Sequence, residues 1–266
     1  MKILKIIALL LLLSLLAYFG SKAYLYAKSY ENSMIEIAKM CDASGLAQGK
    51  IDTITSAISF GLIKNKTKIK LDRLKTEKKL NQTLSYKFLY YFMATLLILI
   101  VISFSCNIIT TTLILAISSL ISLVFGLINP ILMVTIHKNI DHLGDVILSF
   151  ESKGLLGSIY KLFNNNEYAV ALVILLFSVI IPFLKIVILI FTIIFKEYKF
   201  SSNLINFFKH LGKWSMLDVF VVAILLVYLT SNNAEMSHAQ IQIGLYFFLT
   251  YVILSMITTF KAQKIN

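Results

Sequence analysis

Six apolar runs, each close to the length of a membrane crossing, dominate the chain. The first is "ILKIIALLLLLSLLAYFG" at residues 3–20. The others are Phe88–Cys106, Thr111–Ile136, Tyr168–Phe195, Ser215–Thr230 and Gln240–Phe260, each of 16–28 residues. A helix needs about 20 apolar residues to cross a hydrocarbon core about 30 Å thick. Two prolines and ten glycines in 266 residues leave few breaks, which suits long helices. The runs also lack the in/out alternation of membrane-barrel strands. The chain is 58% hydrophobic and 14% charged, against about 45–50% and about 25% in soluble domains. Too little polar surface exists to coat a water-soluble fold. The expected fold is an all-α integral membrane protein with about six transmembrane helices.

The charge is uneven. Residues 21–87 hold thirteen of the 25 basic side chains against six acids, a local net of +7 within a total of +12. Nucleic-acid binding is a poor reading of this excess, because the aromatic residues sit in the membrane runs and not among the lysines. The basic stretch reads as a solvated or membrane-surface helix. Residues 1–20 read as an uncleaved signal anchor, since no small-x-small cleavage site follows. The domain reading is an anchor at 1–20, a basic polar segment at 21–87, an additional span at 88–107 and a four-helix module at 108–266. Lys196–Lys213 carries four lysines and the C-terminal tail carries Lys261 and Lys264. By the positive-inside rule both termini and this loop are expected in the cytoplasm. Cys41 and Cys106 are too far apart in sequence for a CxxC pair and read as free thiols.

Polar residues inside the spans narrow the reading. Ser118, Ser122, Gly126 and Asn129 recur every three or four residues, ending at Pro130. Ser178, Pro182 and Lys185 share a face of the next span, and Tyr251, Ser255 and Thr258 share a face of the last. These stripes are expected to line a common interior, although tight helix packing explains serine stripes equally well. Packing does not explain Lys185, whose insertion at the bilayer centre costs about 2.5–3.5 kcal/mol. Asp218 is the only carboxylate in these apolar runs. Ser215-x-x-Asp218 has the form of a capping box, so Asp218 reads either as a helix cap or as a functional group. Lys185 lies about 16 Å from the level of Lys196, and Asp218 about 7–8 Å from Lys213, at 1.5 Å per residue. Snorkelling of the lysine stem closes most of that gap, which makes a Lys185–Asp218 pair an expectation. His137, Asp141, His142 and Asp145 carry no metal signature and read as an exposed loop. No metal and no cofactor is expected.

"NNNEYAVALVILLFSVIIPFLKIVILIF" followed by "LGKWSMLDVFVVAILLVYL" resembles the two signature regions of the paraquat-inducible protein A family. The shared pattern falls on Ser178, Pro182 and Lys185. It continues on Gly212, Lys213, Trp214, Ser215, Met216, Asp218, Val219 and Phe220. "GLINPILMV", with Pro130, is similar to the end of that family's first core helix. The resemblance spans about Thr111 to Phe260 and implies one four-helix module. It also implies a bacterial inner-membrane subunit that moves phospholipid together with a periplasmic partner of the mammalian-cell-entry (MCE) class. Under it, Lys185, Asp218, Ser178 and Ser215 form a lipid or proton-coupling polar site. Pro182 and Pro130 kink their helices, and Ser118, Ser122, Asn129, Ser255 and Thr258 line the cavity. Better-known members have two modules and zinc ribbons. This chain has one module and no ribbon, so a homodimer or second half-subunit is the implied completion.

The functional expectation is a non-enzymatic phospholipid-transport subunit. No P-loop, HExxH or GxSxG motif is present. The alternatives are a proton-coupled secondary transporter of a small solute and a structural membrane scaffold.

Overall fold

The computed structural model describes residues 2–41, 66–140, 144–194 and 237–262. Two long helices open the fold, α1 (Lys2–Met40) and α2 (Lys66–Phe104), each of 39 residues. At 1.5 Å per residue each is about 58 Å long, nearly twice the hydrocarbon thickness. A tight turn at Ser105–Asn107 leads into α3 (Ile108–Ile128). The hairpin β1 (Pro130–Ile140) and β2 (Gly144–Gly154) follows, then a short amphipathic helix α4 (Leu155–Asn164). Asn166, at φ 63°, turns the chain into the next crossing. That crossing consists of α5 (Tyr168–Leu175), a π-helical turn at Leu176–Ile180 and α6 (Ile181–Ile194). Strand β3 (Ser237–Ile241) and helix α7 (Ile243–Ala262) complete the described elements.

The fold is predominantly helical, and five of the expected crossings are helices long and apolar enough to span a membrane. The sixth, Ser215–Thr230, lies outside the described residues. The boundaries expected at residues 20/21 and 87/88 are changes of composition along continuous helices, α1 and α2.

Two element ends differ from the sequence expectation. The apolar run expected as helix through Ile136 leaves the helix at Ile128, and Pro130–Ile140 is a strand. Proline has no N–H for the helix ladder, and it pushes the preceding residue out of the α region. Asn129 accordingly sits at φ −80°, ψ 151°. The β-branched residues Ile131, Val134, Thr135 and Ile136 then suit a strand. The last run begins later than expected as a helix, because Gln240 and Ile241 belong to β3. The three strands form an antiparallel sheet in the order β2-β1-β3. Within it Asn139 pairs with Asp145 and His137 with Ile147, so part of the expected loop is sheet. Asp141 and His142 lie outside the described residues.

Packing contacts order the bundle by depth. At one end Leu9 and Leu13 of α1 meet Leu99 of α2 and Ile114 of α3, with Cys106 beside them. Lys261 stands over the Phe104 ring at the same end, 3.7 Å from its centroid. Midway, Phe92, Phe125 and Phe247 interlock α2, α3 and α7, with ring centroids 4.8–6.5 Å apart. At the other end Tyr30 and Met34 of α1 pack on Met133 of the sheet. The N-terminal end of α1 and the C-terminal end of α7 therefore share one side, and the sheet lies on the opposite side.

The aromatic pairs Phe19–Tyr91 and Tyr26–Phe88 ring the foot of the α1/α2 hairpin. Lys22 and Lys87 lie over the neighbouring rings of Tyr18 and Tyr91. Such a belt of aromatic and basic side chains marks a membrane–water interface. Lys22 stands 17 residues beyond Lys5, about 26 Å along the helix and close to the hydrocarbon thickness. Beyond the belt both helices continue as a stalk, about 30 Å tall. The stretch read as solvated or membrane-surface helix belongs to this stalk and packs on α1 through Leu74, buried at 7% exposure, while Ile69 and Leu80 stay exposed. Lys70 Nζ also reaches Glu36 Oε2 across the hairpin at 3.6 Å. The sheet is tied to the stalk by Tyr30 Oη donating to Gln240 Oε1 (3.3 Å) and Tyr86 Oη donating to the Ile241 carbonyl (3.1 Å).

Candidate functional site: a buried lysine among three helices

Helices α3, α6 and α7 meet at a polar spot inside an otherwise apolar bundle. Close approach of α3 and α7 makes it compact. A Cβ on Gly126 would lie 2.9 Å from the Phe248 amide nitrogen, so only glycine lets the two backbones come this near. Higher up, a Cβ on Gly244 would lie 2.6 Å from the Pro130 carbonyl oxygen.

Lys185 projects from α6 into this interface with 5% exposure. It lines a cavity of about 10 Å³ with Ala116 and Ser119 of α3 and Ser255, Thr258 and Thr259 of α7. That volume admits one water at most. Ser119 lies eleven residues from one end of α3 and nine from the other, about 14–17 Å from each. The lysine therefore sits near mid-membrane, and the hydroxyls of α7 around it belong to the half of the bundle nearer the termini.

The hydroxyl groups are arranged to accept. Ser119 Oγ donates to the Ala116 carbonyl at 2.8 Å, and Thr259 Oγ1 donates to Ser255 O at 2.8 Å. Thr258 Oγ1 donates to Leu254 O at 2.6 Å. Each of these three hydroxyls spends its proton on its own helix, leaving oxygen lone pairs as acceptors. A lysine Nζ is a donor group, and these lone pairs are acceptors for it or for a water in the cavity. Ser118 and Ser122 follow the same rule, donating to Ile114 O and Ser118 O. They are fully buried on the α3 face and pack beside the cavity, which is lined by Ser119 instead.

Ser178 lies two turns from Lys185, about 10 Å along the axis. It is fully buried, and its Oγ has no hydrogen-bond partner among the described residues. It also falls inside the π turn, where the Ile181 amide bonds back to the Leu176 carbonyl. Pro182 explains the widening. It cannot donate to Ser178 O, and its ring would strike that carbonyl in an ordinary α turn. The expected kink at Pro182 is thus a local π bulge, a feature common at functional sites.

Asn129, fully buried, closes the sheet-side end. Its Nδ2 donates to Phe125 O at 2.7 Å, while its Oδ1 and the Nε2 of buried Gln242 lack partners among the described residues. Asn129 thus lies at the helix cap, apart from the Lys185 cavity. Ser255 and Thr258 line the cavity, and Tyr251 is fully buried on the same face. Sequence reasoning does not single out Ser119 and Thr259, because each sits one position off a more conspicuous stripe. The row Ser119, Ser122, Gly126, at spacings of three and four, is the signal that could have found the first. Asp218 and Ser215 lie outside the described residues, and with them the expected Lys185–Asp218 pair.

Fold and site together define a multi-pass helical membrane protein with a buried lysine in a polar helix interface. Residues 109–265, more than half of the chain, match the family model of paraquat-inducible protein A, and the chain belongs to that family. Membership suggests a membrane component of a stress-related envelope system. No curated protein and no solved structure matches the chain.

Proposed function

We propose that this protein is a non-enzymatic subunit of a phospholipid-transport system in the bacterial inner membrane. It passes lipid to or from a periplasmic MCE-type partner and has both termini in the cytoplasm. Lys185 carries the reading. A buried ionisable side chain is costly in a bilayer and is retained for a task, and here it lies among hydroxyl oxygens at the junction of three helices of the family module. The cavity itself, about 10 Å³ among the described residues, holds one water at most, so it is not where a solute or a headgroup rests. A lipid keeps its tails in the bilayer and needs the protein only along its headgroup path. In this reading Lys185 and the hydroxyls steady a charge or proton that moves as the helices shift, and Ser178 with its π turn supplies the point of adjustment. A photoreactive residue at Ser122 or Ser178, activated in native membranes, tests this. Phospholipid adducts support the reading, and adducts confined to protein would point to a scaffold.

A further inference from the structure

The short helix α4 carries three stripes, each at spacings of four and three and each turned about 100° from the one before. Leu155, Ile159 and Leu162 form the first. Leu155 and Ile159 are buried in the cluster that holds Leu123 of α3 and Ile131 of β1, and Leu162 is half-buried. Leu156, Tyr160 and Phe163 form the second, and all three are exposed, Tyr160 to 68%. Gly157, Lys161 and Asn164 form the third, also exposed. Lys161 Nζ reaches Glu151 Oε1 at 3.3 Å, and Glu151 stands three residues up β2 from its membrane-side end at Gly154. The polar stripe is thereby turned toward the sheet. The first two stripes together form one apolar arc centred about 180° from Lys161. That arc is turned away from the sheet, back toward the membrane. Half of it meets the bundle, and the other half has no protein cover among the described residues.

Both ends of α4 adjoin membrane crossings. At its start Gly154 pairs with Pro130, and a Cβ there would lie 3.4 Å from the Asn129 carbonyl oxygen, at the end of α3. At its other end the turn through Asn166 leads into the crossing that opens at Tyr168. The rings of Phe163 and Tyr168 lie 6.1 Å apart, so the exposed stripe runs on into exposed Tyr168 and Leu172 of α5. A helix with an apolar arc and a polar back suits the interface plane, with aromatic side chains at headgroup level. A soluble protein arrives from the water and meets the polar back. A second copy stands alongside in the same bilayer and meets a flank. Only the bilayer lies where this stripe is directed.

We propose that α4 is an in-plane membrane-surface helix, with Leu156, Tyr160 and Phe163 set into the headgroup–acyl boundary of the leaflet on the sheet side. The contact is with the bilayer itself and is independent of the lipid-transport reading, since a scaffold or a solute carrier could carry it equally well. The experiment places a nitroxide on a single cysteine in a Cys41→Ser, Cys106→Ser background of the full chain. The sites are Leu156→Cys, Tyr160→Cys and Phe163→Cys on the apolar stripe, with Gly157→Cys and Asn164→Cys on the polar one. In phosphatidylcholine–phosphatidylglycerol vesicles, power saturation measures collisions with oxygen, which concentrates in lipid, and with an aqueous nickel chelate. The oxygen-to-nickel collision ratio is expected to be at least about threefold higher on the apolar stripe than on the polar one. Equal ratios on the two stripes, or a higher ratio on the polar one, would place the stripe in water and overturn the proposal. Low access to both reagents at Leu156, Tyr160 and Phe163 would overturn it too, because protein would then cover the stripe, whether a second copy or this chain's own residues.

Discussion

Replacing Ser178 with alanine removes one oxygen from a fully buried position where that oxygen has no partner among the described residues. Burying an unpaired hydroxyl costs about 1–3 kcal/mol, and alanine is the better helix former by about 0.5 kcal/mol. Against this stands a few tenths of a kcal/mol of lost dispersion contact. The variant is expected to be more stable by roughly 1–3 kcal/mol. For a chain of this size that is a rise of about 2–6 °C in Tm. The unmasking of Cys106 to a thiol-reactive dye on heating in detergent reads this out, since that thiol is free and half-buried. Ser122→Ala is the control of opposite sign. Its hydroxyl bonds to Ser118 O at 3.0 Å, so the variant loses about 1 kcal/mol. Lipid transfer is expected to fall in Ser178→Ala despite the gain in stability, the usual trade at a working site. A lower Tm for Ser178→Ala would refute the reasoning, because it would mean that the hydroxyl is satisfied in the folded protein.

Gly244→Ala forces a Cβ to within 2.6 Å of a backbone carbonyl and is expected to cost about 1–3 kcal/mol. Gly157→Ala in α4 meets nothing within 4 Å and is expected to gain up to about 1 kcal/mol; the two melting points check both. Pro182→Ala restores a backbone N–H beside the π turn and is expected to convert it to α-helix, with Ser178 changing its reactivity when probed as Ser178→Cys. Tyr30→Phe removes the bond to Gln240 and is expected to loosen the sheet from the stalk by about 1 kcal/mol, seen as faster amide exchange in β3. Cys41 and Cys106 mark opposite ends of the bundle. An impermeant maleimide added to intact cells is expected to label the Cys106→Ser variant and to spare Cys41→Ser; the reverse pattern would invert the orientation.

The membrane crossings were legible because hydropathy and length depend on the sequence alone. Lys185 stood out for the same reason, as a cation in an apolar run. The sheet was not legible, because β1 continues the apolar run of α3 and only Pro130 marks the change. Its third strand, Ser237–Ile241, pairs with residues about a hundred positions earlier, and no local pattern announces such a pairing. The stalk was half legible. Its charge was plain, but its packing depends on Leu74, Tyr30 and Tyr86 finding partners on other elements. Ser119 and Thr259 were hidden because a helix buried on most sides gives no polar face to single them out.

Transfer of labelled phospholipid is the most direct test of the central claim. The chain is reconstituted in vesicles with its periplasmic partner, and wild type is compared with Lys185→Ala and Lys185→Arg. The account predicts at least about a tenfold loss of rate for alanine, equal to about 1.4 kcal/mol of barrier, with partial retention for arginine, all compared at equal incorporation of folded protein. Transfer by Lys185→Ala at the wild-type rate would contradict it.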